Sequence, residues 1–338
     1  MAEARAPSHL ISLHELKPSQ VDDLLELSMR IKRQPRKASL AGKTVGLLFF
    51  RGSLRTRTSF EAAMTQLGGN TINLSAASDF WELESVEGSV MDGRAPEHVK
   101  DAAAVLSCYV SALAIRPKPA GTSWSVDRRD AEIRTWARYA KVPVINMESA
   151  LWHPLQALAD LMTLKEALGE LRGKRLTFTW THSPTPASPA AVHSLLLAAL
   201  AQGMHVRVTA PAGYELDGEV LSQAQAVGEE HGSKLETSSS MQDAARGAHV
   251  IYARSWHSLE DYGNATLAAS RRARTSGWMV DERLLALGDG AQLMHAMPVR
   301  RNLEVSDAVL DGPRSLVVRQ AENRLHSQKA VLSLLLGG

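Results

Sequence analysis

The chain has 338 residues, of which 44% are hydrophobic and 22% charged, and its formal net charge is +2. Those proportions suit a soluble globular protein, and the length exceeds what one core usually spans, so two domains of about 150 residues are expected. No Lys/Arg block forms a nucleic-acid stripe and no run approaches about 18 uninterrupted apolar residues, which excludes nucleic acid and membrane as partners. Residues 1–7 carry no apolar signal-peptide core, so a cytoplasmic location is expected.

Leu16, Val21, Leu24, Leu25, Leu27 and Met29 recur at helical spacing and predict an opening helix over 16–33, with Ser19 as its cap. Val45 to Phe50 is a continuous apolar run that reads as a buried parallel strand. Phe60, Met64 and Leu67 then return at helical spacing up to a Gly68-Gly69 stop. Ser53-Leu54-Arg55-Thr56-Arg57 therefore sits where a strand turns into a helix. Backbone N–H groups and the positive end of the helix dipole meet two guanidiniums and several hydroxyls there, which is the chemistry of a phosphate site. The other reading is a capped helix start with solvated arginines. The spacing of a Walker loop is absent.

A strand at Thr71–Leu74, a loop at Asp79–Glu84, a helix from Pro96 to Tyr109 and a strand at Ala112–Ile115 ending on Arg116 follow. The one cysteine, Cys108, falls in the pattern Ala104, Val105, Cys108, Tyr109, which reads as core-facing. A helix over 130–139 and a strand over 142–147 complete the first half. Leu155–Leu168 reads as an amphipathic helix, and the alternation then repeats: strands at 175–180, 205–209, 250–253, 292–294 and 315–318, helices at 190–203, 219–231, 282–287 and 322–336. The fold class is α/β with two doubly wound parallel-sheet domains, joined near 148–165, whose ligands lie at the carboxyl ends of the strands. Thr181 to Pro189 holds three prolines in six residues, a stiff extended loop where a short turn would do.

Four clusters follow strands: 53–57, Arg116, His153-Pro154-Leu155-Gln156, and His295-Ala296-Met297-Pro298 with Arg300, Arg301 and Asn302 behind it. A fifth, Glu322-Asn323-Arg324, opens the last helix. The set suits acyl-type transfer from a phosphate: arginines hold the phosphate, donors polarise a carbonyl, and an amine attacks. No Cys pair, His-Glu-x-x-His or Asp-rich loop offers a metal site, no Gly-x-Ser-x-Gly elbow is present, and no Gly-x-Gly-x-x-Gly supports a nicotinamide; no cofactor is expected.

These five clusters, in this order, resemble the aspartate/ornithine carbamoyltransferase family from about residue 10 onward. Met91-Asp92-Gly93, Asn146-Met147-Glu148, Tyr252-Ala253-Arg254-Ser255-Trp256, Val299–Asn302 and the proline-rich loop are similar to its acylornithine branch. The resemblance implies a first domain over 1–150 that binds carbamoyl phosphate, with a closing helix over 322–338 packed back on it, and an acceptor domain over 151–321. It implies that Ser53, Leu54, Arg55, Thr56, Arg57 and Arg116 cradle the phosphate and that His153, Thr56 and Arg116 polarise the carbonyl. Gln156, the Met297 carbonyl and Arg324 would hold the carbamoyl end. Trp81 would reach into a neighbouring subunit of a homotrimer, and Glu148, Pro96, Arg254, His295, Met297 and Arg300 would serve the acceptor. A trefoil knot, with residues near 254–275 threading the proline-rich loop, is also implied.

Three departures bear on the acceptor. Ala296 replaces the family's Cys, and Ser183-Pro184-Thr185-Pro186 replaces its His-Pro-Lys/Arg-Pro. Pro96 stands where the acetylornithine type has a Glu, as in the succinylornithine type; losing that carboxylate leaves room for a succinyl carboxylate and stops repelling it. Glu304 stands where the acetyl type has a Lys reported as carboxylated. N-succinyl-L-ornithine is thus the expected acceptor, with N-acetyl-L-ornithine or another amine as the alternative, and a non-catalytic carbamoyl phosphate-binding paralogue as a reading of a different class.

Overall fold

A computed structural model describes residues 8–34 and 39–337; residues 1–7, on which the reading of the N-terminus turned, lie outside them. The chain divides into two compact units, one made of Met1–Pro119, Asp127–Leu158 and Arg324–Gly338, the other of Ala120–Val126 and Ala159–Asn323.

The first unit opens with α1 (Pro18–Arg33), where Pro18 takes the first helical position and Gln20 Oε1 accepts from the Lys17 N–H at 3.0 Å. Lys17, not Ser19, is therefore the cap residue. There follow β1 (Thr44–Phe49), α2 (Arg55–Gln66), β2 (Asn70–Ser75), two short paired strands β3 (Leu83–Glu84) and β4 (Glu97–His98), α3 (Val99–Tyr109), β5 (Ala112–Arg116), then α4 (Trp124–Asp127), all but its last residue assigned to the second unit, and, back in the first, α5 (Ala131–Tyr139) and β6 (Val144–Asn146). The sheet order is β2-β1-β5-β6, all parallel, which puts the apolar β1 in the interior of the sheet. Val45, Leu47, Leu48 and Phe49 are buried there because both sheet faces are covered. Gly68, at φ 80, takes the left-handed turn that stops α2.

In the second unit α6 (Pro154–Leu168), begun in the first, is followed by β7 (Arg175–Trp180), α7 (Ala190–Ala201), β8 (His205–Thr209), α8 (Gly218–His231), β9 (Leu235–Ser238), α9 (Met241–Ala245), β10 (Val250–Arg254), α10 (Ala265–Arg272), α11 (Glu282–Ala286), β11 (Gln292–Met294) and α12 (Asp307–Leu310); α13 (Val317–Leu336) starts here and ends in the first unit. The sheet order is β11-β10-β7-β8-β9, again parallel throughout. No helix among the described residues is long and apolar enough to cross a membrane.

Four expectations need correction. Residues 315–318 are not a strand: Ser315 makes a single bridge to Leu293, and the chain turns into α13 at Val317. Two β-branched residues and a leucine misled the reading, because a helix start reads the same as a strand over four residues. Glu322, Asn323 and Arg324 accordingly sit well inside the last helix rather than at its opening. The α6 helix is not amphipathic, since Leu155 to Leu164 are buried on every side. Cys108 is exposed, and with Val105 and Tyr109 at 48% and 68% exposure the face read as core is the outer one; α3 buries Val99, Ala102 and Ala103 instead.

Candidate active site

In the first unit the site grows from the end of β1. Leu54 is the N-cap of α2 and its side chain makes no capping hydrogen bond, while Thr58 Oγ1 donates to the Leu54 carbonyl at 2.5 Å. A helix N-terminus stabilises an anion placed against it. Thr56 is buried, and its Oγ1 accepts from two guanidiniums: Arg324 Nη2 at 2.6 Å and Arg116 Nη1 at 3.3 Å. Arg116 Nη1 also donates to Ser53 Oγ at 3.2 Å. Arg55 is the first helical residue of α2, Leu54 points into solvent at 76% exposure, and Arg57 lies over the Phe49 ring at 4.7 Å.

Glu148 completes this cluster. Its Oε2 accepts from Arg116 Nη2 at 2.5 Å and lies 3.5 Å from Arg51 Nη2, which donates to the Glu148 carbonyl at 2.8 Å; Arg51 Nε donates to the Pro117 carbonyl at 3.1 Å. Glu148 holds a positive φ of 126°, a conformation costly for a side chain with a Cβ. A buried network fixes it: its N–H donates to Asn146 Oδ1 at 3.0 Å, Asn146 Nδ2 donates to Ser149 Oγ at 2.9 Å, and Ser149 Oγ donates to Asp130 Oδ2 at 2.5 Å. Asp130 also accepts from the Ala150 N–H at 3.0 Å, and burial pushes its carboxyl up to about 6 against those hydrogen bonds.

His153, just before α6, is buried, and burial holds its pKa well below the ordinary imidazole value. Glu148 opposes that shift, while Arg324, Arg116 and Arg51 reinforce it. The ring is neutral at pH 7 and offers an N–H to a partner without adding charge. Gln156, in the first turn of α6, is also buried. Elsewhere in the unit Trp81 is 58% exposed and its Nε1 donates to Glu97 Oε2 at 2.7 Å, next to the exposed Pro96.

In the second unit the ends of β10 and β11 carry the remaining expected residues. Arg254 is buried and its Nη1 donates to the Met297 carbonyl at 3.2 Å. His295 Nδ1 accepts the Met297 N–H at 2.8 Å, so the ring proton is on Nε2, which donates to Glu304 Oε2 at 2.8 Å. That bond joins a neutral imidazole to a buried carboxylate. Arg300 Nη2 donates to Thr185 Oγ1 at 2.7 Å, tying the acceptor candidate to the proline-rich loop. Ser183 Oγ is buried with no hydrogen-bond partner among the described residues.

The structure thus gathers Ser53, Thr56, Arg116, Glu148 and Arg324 in one unit and Arg254, His295 and Met297 in the other, while Arg57 lies on the Phe49 ring, Trp81 donates to Glu97 and Pro96 is exposed. Sequence reasoning missed Arg51, although it lies just past the end of β1, and missed Asp160 and Gln320, each one helical turn from an expected residue on α6 and α13.

Residues 8–166 match the carbamoyl-P binding domain and residues 188–335 the Asp/Orn binding domain described for the aspartate/ornithine carbamoyltransferases. The chain is 39% identical over 332 residues to an N-acetylornithine carbamoyltransferase of Xanthomonas campestris pv. campestris, covering 97% of this chain and 98% of that one. A crystal structure of acetylornithine transcarbamylase complexed with acetylcitrulline is similar at a TM-score of 0.95 and 38% identity, over 98% of this chain and 100% of that one. So is a glutamate-to-proline mutant of N-acetyl-L-ornithine transcarbamylase complexed with carbamyl phosphate and N-succinyl-L-norvaline, at 0.94 and 38%, over 97% and 100%. Two parallel α/β units with guanidinium clusters at their strand ends are thus the frame of a group-transferring enzyme. The chain belongs to the aspartate/ornithine carbamoyltransferase family and is a carbamoyltransferase.

Proposed function

We propose that the protein transfers the carbamoyl group of carbamoyl phosphate to the δ-amine of an Nα-acylated ornithine, and that the acyl group is succinyl. The observation that carries the first part is the Thr56 hydroxyl, which accepts from both Arg116 and Arg324 in the first turn of α2. In this reading the phosphate group sits on the α2 N-terminus with Ser53, Leu54, Arg55, Thr56, Arg57 and Arg116. Thr56, Arg116 and the neutral His153 turn their protons to the carbonyl oxygen, which gains charge as the bond forms. The carbamoyl NH2 donates to the Met297 carbonyl, and Gln156 and Arg324 complete that end.

The uncharged δ-amine attacks the carbonyl carbon, the tetrahedral species collapses with cleavage of the bond to the phosphate oxygen, and the departing phosphate takes the amine proton. No side-chain base is needed, because the leaving group supplies one in place. The products are an N-acylcitrulline and phosphate.

The succinyl assignment rests on Pro96. The family resemblance puts it where the acetyl type carries a glutamate, and the glutamate-to-proline mutant complexed with N-succinyl-L-norvaline supports the inference that such a change admits the longer, charged acyl group. Arg254 and Arg300 then offer two cations for the two carboxylates of succinylornithine. The second reading is N-acetyl-L-ornithine, which the name of the Xanthomonas relative favours. Residues 1–150 as the carbamoyl phosphate domain, 151–321 as the acceptor domain, a homotrimer in which Trp81 serves a neighbour's site, a knotted second domain and a cytoplasmic location belong to the same proposal. Citrulline-type product measured with succinyl-, acetyl- and free ornithine tests it; turnover of free ornithine alone would refute an acylated acceptor.

A further inference from the structure

In the second unit, Asp160 of α6, Tyr252 of β10, Gln320 of α13 and His295 just after β11 form one network, and all four are almost fully buried. Tyr252 Oη donates to Asp160 Oδ2 at 3.0 Å and accepts from Gln320 Nε2 at 3.2 Å. Gln320 Nε2 donates to Asp160 Oδ1 at 2.7 Å, and Gln320 Oε1 accepts the His295 N–H at 2.9 Å.

The direction of every bond is determined. A backbone N–H can only donate, so the amide oxygen of Gln320 faces His295 and its NH2 faces the carboxylate and the phenol. Burial, and then the Asp160 charge, pushes the Tyr252 phenol well above its ordinary range, Arg254 on the same strand acting the other way, so the phenol keeps the proton it gives Asp160. A flipped amide would set N–H against N–H and oxygen against carboxylate.

What the network holds is the turn that begins at His295. The same residue takes the Met297 N–H on Nδ1 and is tied to Glu304 through Nε2, and the Met297 carbonyl is the oxygen that Arg254 meets. The place of that carbonyl is therefore set through Asp160, Gln320 and the His295 backbone in series. Asp160 also stands one helical turn from Gln156 on α6, and Gln320 one turn from Arg324 on α13. The same two helices thus carry members of the network and residues assigned to the carbamoyl end.

We propose that Asp160, Tyr252 and Gln320 are positioning residues for carbamoyl transfer, holding the His295–Met297 turn so that the Met297 carbonyl accepts the carbamoyl NH2. The inference rests on the reading of that carbonyl given above. A network that only stabilised the fold would change the melting temperature and leave the turnover of folded enzyme alone.

The experiment uses the full chain with Gln320→Glu and Tyr252→Phe, measuring kcat, both KM values and Tm from about pH 6 to about pH 9. Protonated, the introduced carboxyl still donates to Asp160 and accepts from His295; ionised, it sets two carboxylates face to face. The wild-type to Gln320→Glu ratio of kcat should grow by at least about tenfold from the acid to the alkaline end, with the acceptor KM within about twofold of wild type. Tyr252→Phe, which removes one hydroxyl and no bulk, should lower kcat by about three- to tenfold at every pH, and it decides the matter alone if Gln320→Glu does not fold. Variants that keep kcat within about twofold of an active wild type overturn the inference by itself. A wild type inactive on every acylornithine overturns the proposed function, and this inference with it.

Discussion

Thr56 Oγ1 accepts a hydrogen bond from Arg324 Nη2 at 2.6 Å although 268 positions separate the two residues in the chain. With Arg116 on the same hydroxyl, two cations converge on one small neutral group. The hydroxyl orients both guanidiniums and keeps its own proton to give. Thr56→Val preserves shape and removes all of this, so kcat should fall by about 100- to 1000-fold, with a smaller rise in the KM for carbamoyl phosphate. Steady-state kinetics and a melting curve check it; a variant near wild-type kcat would remove Thr56 from the chemistry.

Glu148 is the carboxylate between Arg116 and Arg51, and its own side chain is only 7% exposed. Glu148→Gln leaves two guanidiniums without their counter-charge in a half-dry site, which should cost about 3 kcal/mol of stability. Urea unfolding of the variant reads this directly, and an unchanged midpoint would show that solvent already screens the pair.

Asp130 makes a pH prediction. Its folded pKa of about 6 lies above the ordinary 3.8, so the native state takes up a proton before the unfolded chain does. The stabilising contribution of that protonation is fully present below about pH 4 and is lost as pH rises through about 6, amounting to about 3 kcal/mol over the window. Asp130→Asn should therefore flatten the pH dependence of unfolding free energy between those limits relative to wild type. Parallel curves for the two proteins would contradict the assignment.

Pro96→Glu returns the carboxylate that the acetyl type carries. The ratio of kcat/KM for N-succinyl- over N-acetyl-L-ornithine should drop by at least about tenfold, the cost of setting a like charge against the succinyl carboxylate. If the ratio does not move, Pro96 does not face the acyl group.

Much of the fold was legible because parallel α/β units write themselves in alternation: the buried run from Val45 to Phe49 and the helical spacing of Phe60, Met64 and Leu67 each admit one reading. That Ser53, Thr56 and Arg116 come together was legible for the same reason, since strand ends collect side chains in one place. What failed was local. Ser315 to Val318 is too short a run to distinguish strand from helix start, and the face of α3 with Cys108 is apolar yet outward. Asp160 and Gln320 escaped because a buried carboxylate and amide announce themselves only through partners distant in sequence: Gln320 lies 160 positions from Asp160 and 25 from His295.

The last helix has a consequence for how the enzyme comes into being. Arg324 reaches Thr56 from a segment that finishes the first unit only after the whole second unit has been made. On the ribosome the chain can lay down β1, α2 and β5 early, yet the second guanidinium on Thr56 arrives only after β7 to β11 have emerged. A chain cut short before position 324 would carry the whole first sheet but a Thr56 hydroxyl met by Arg116 alone.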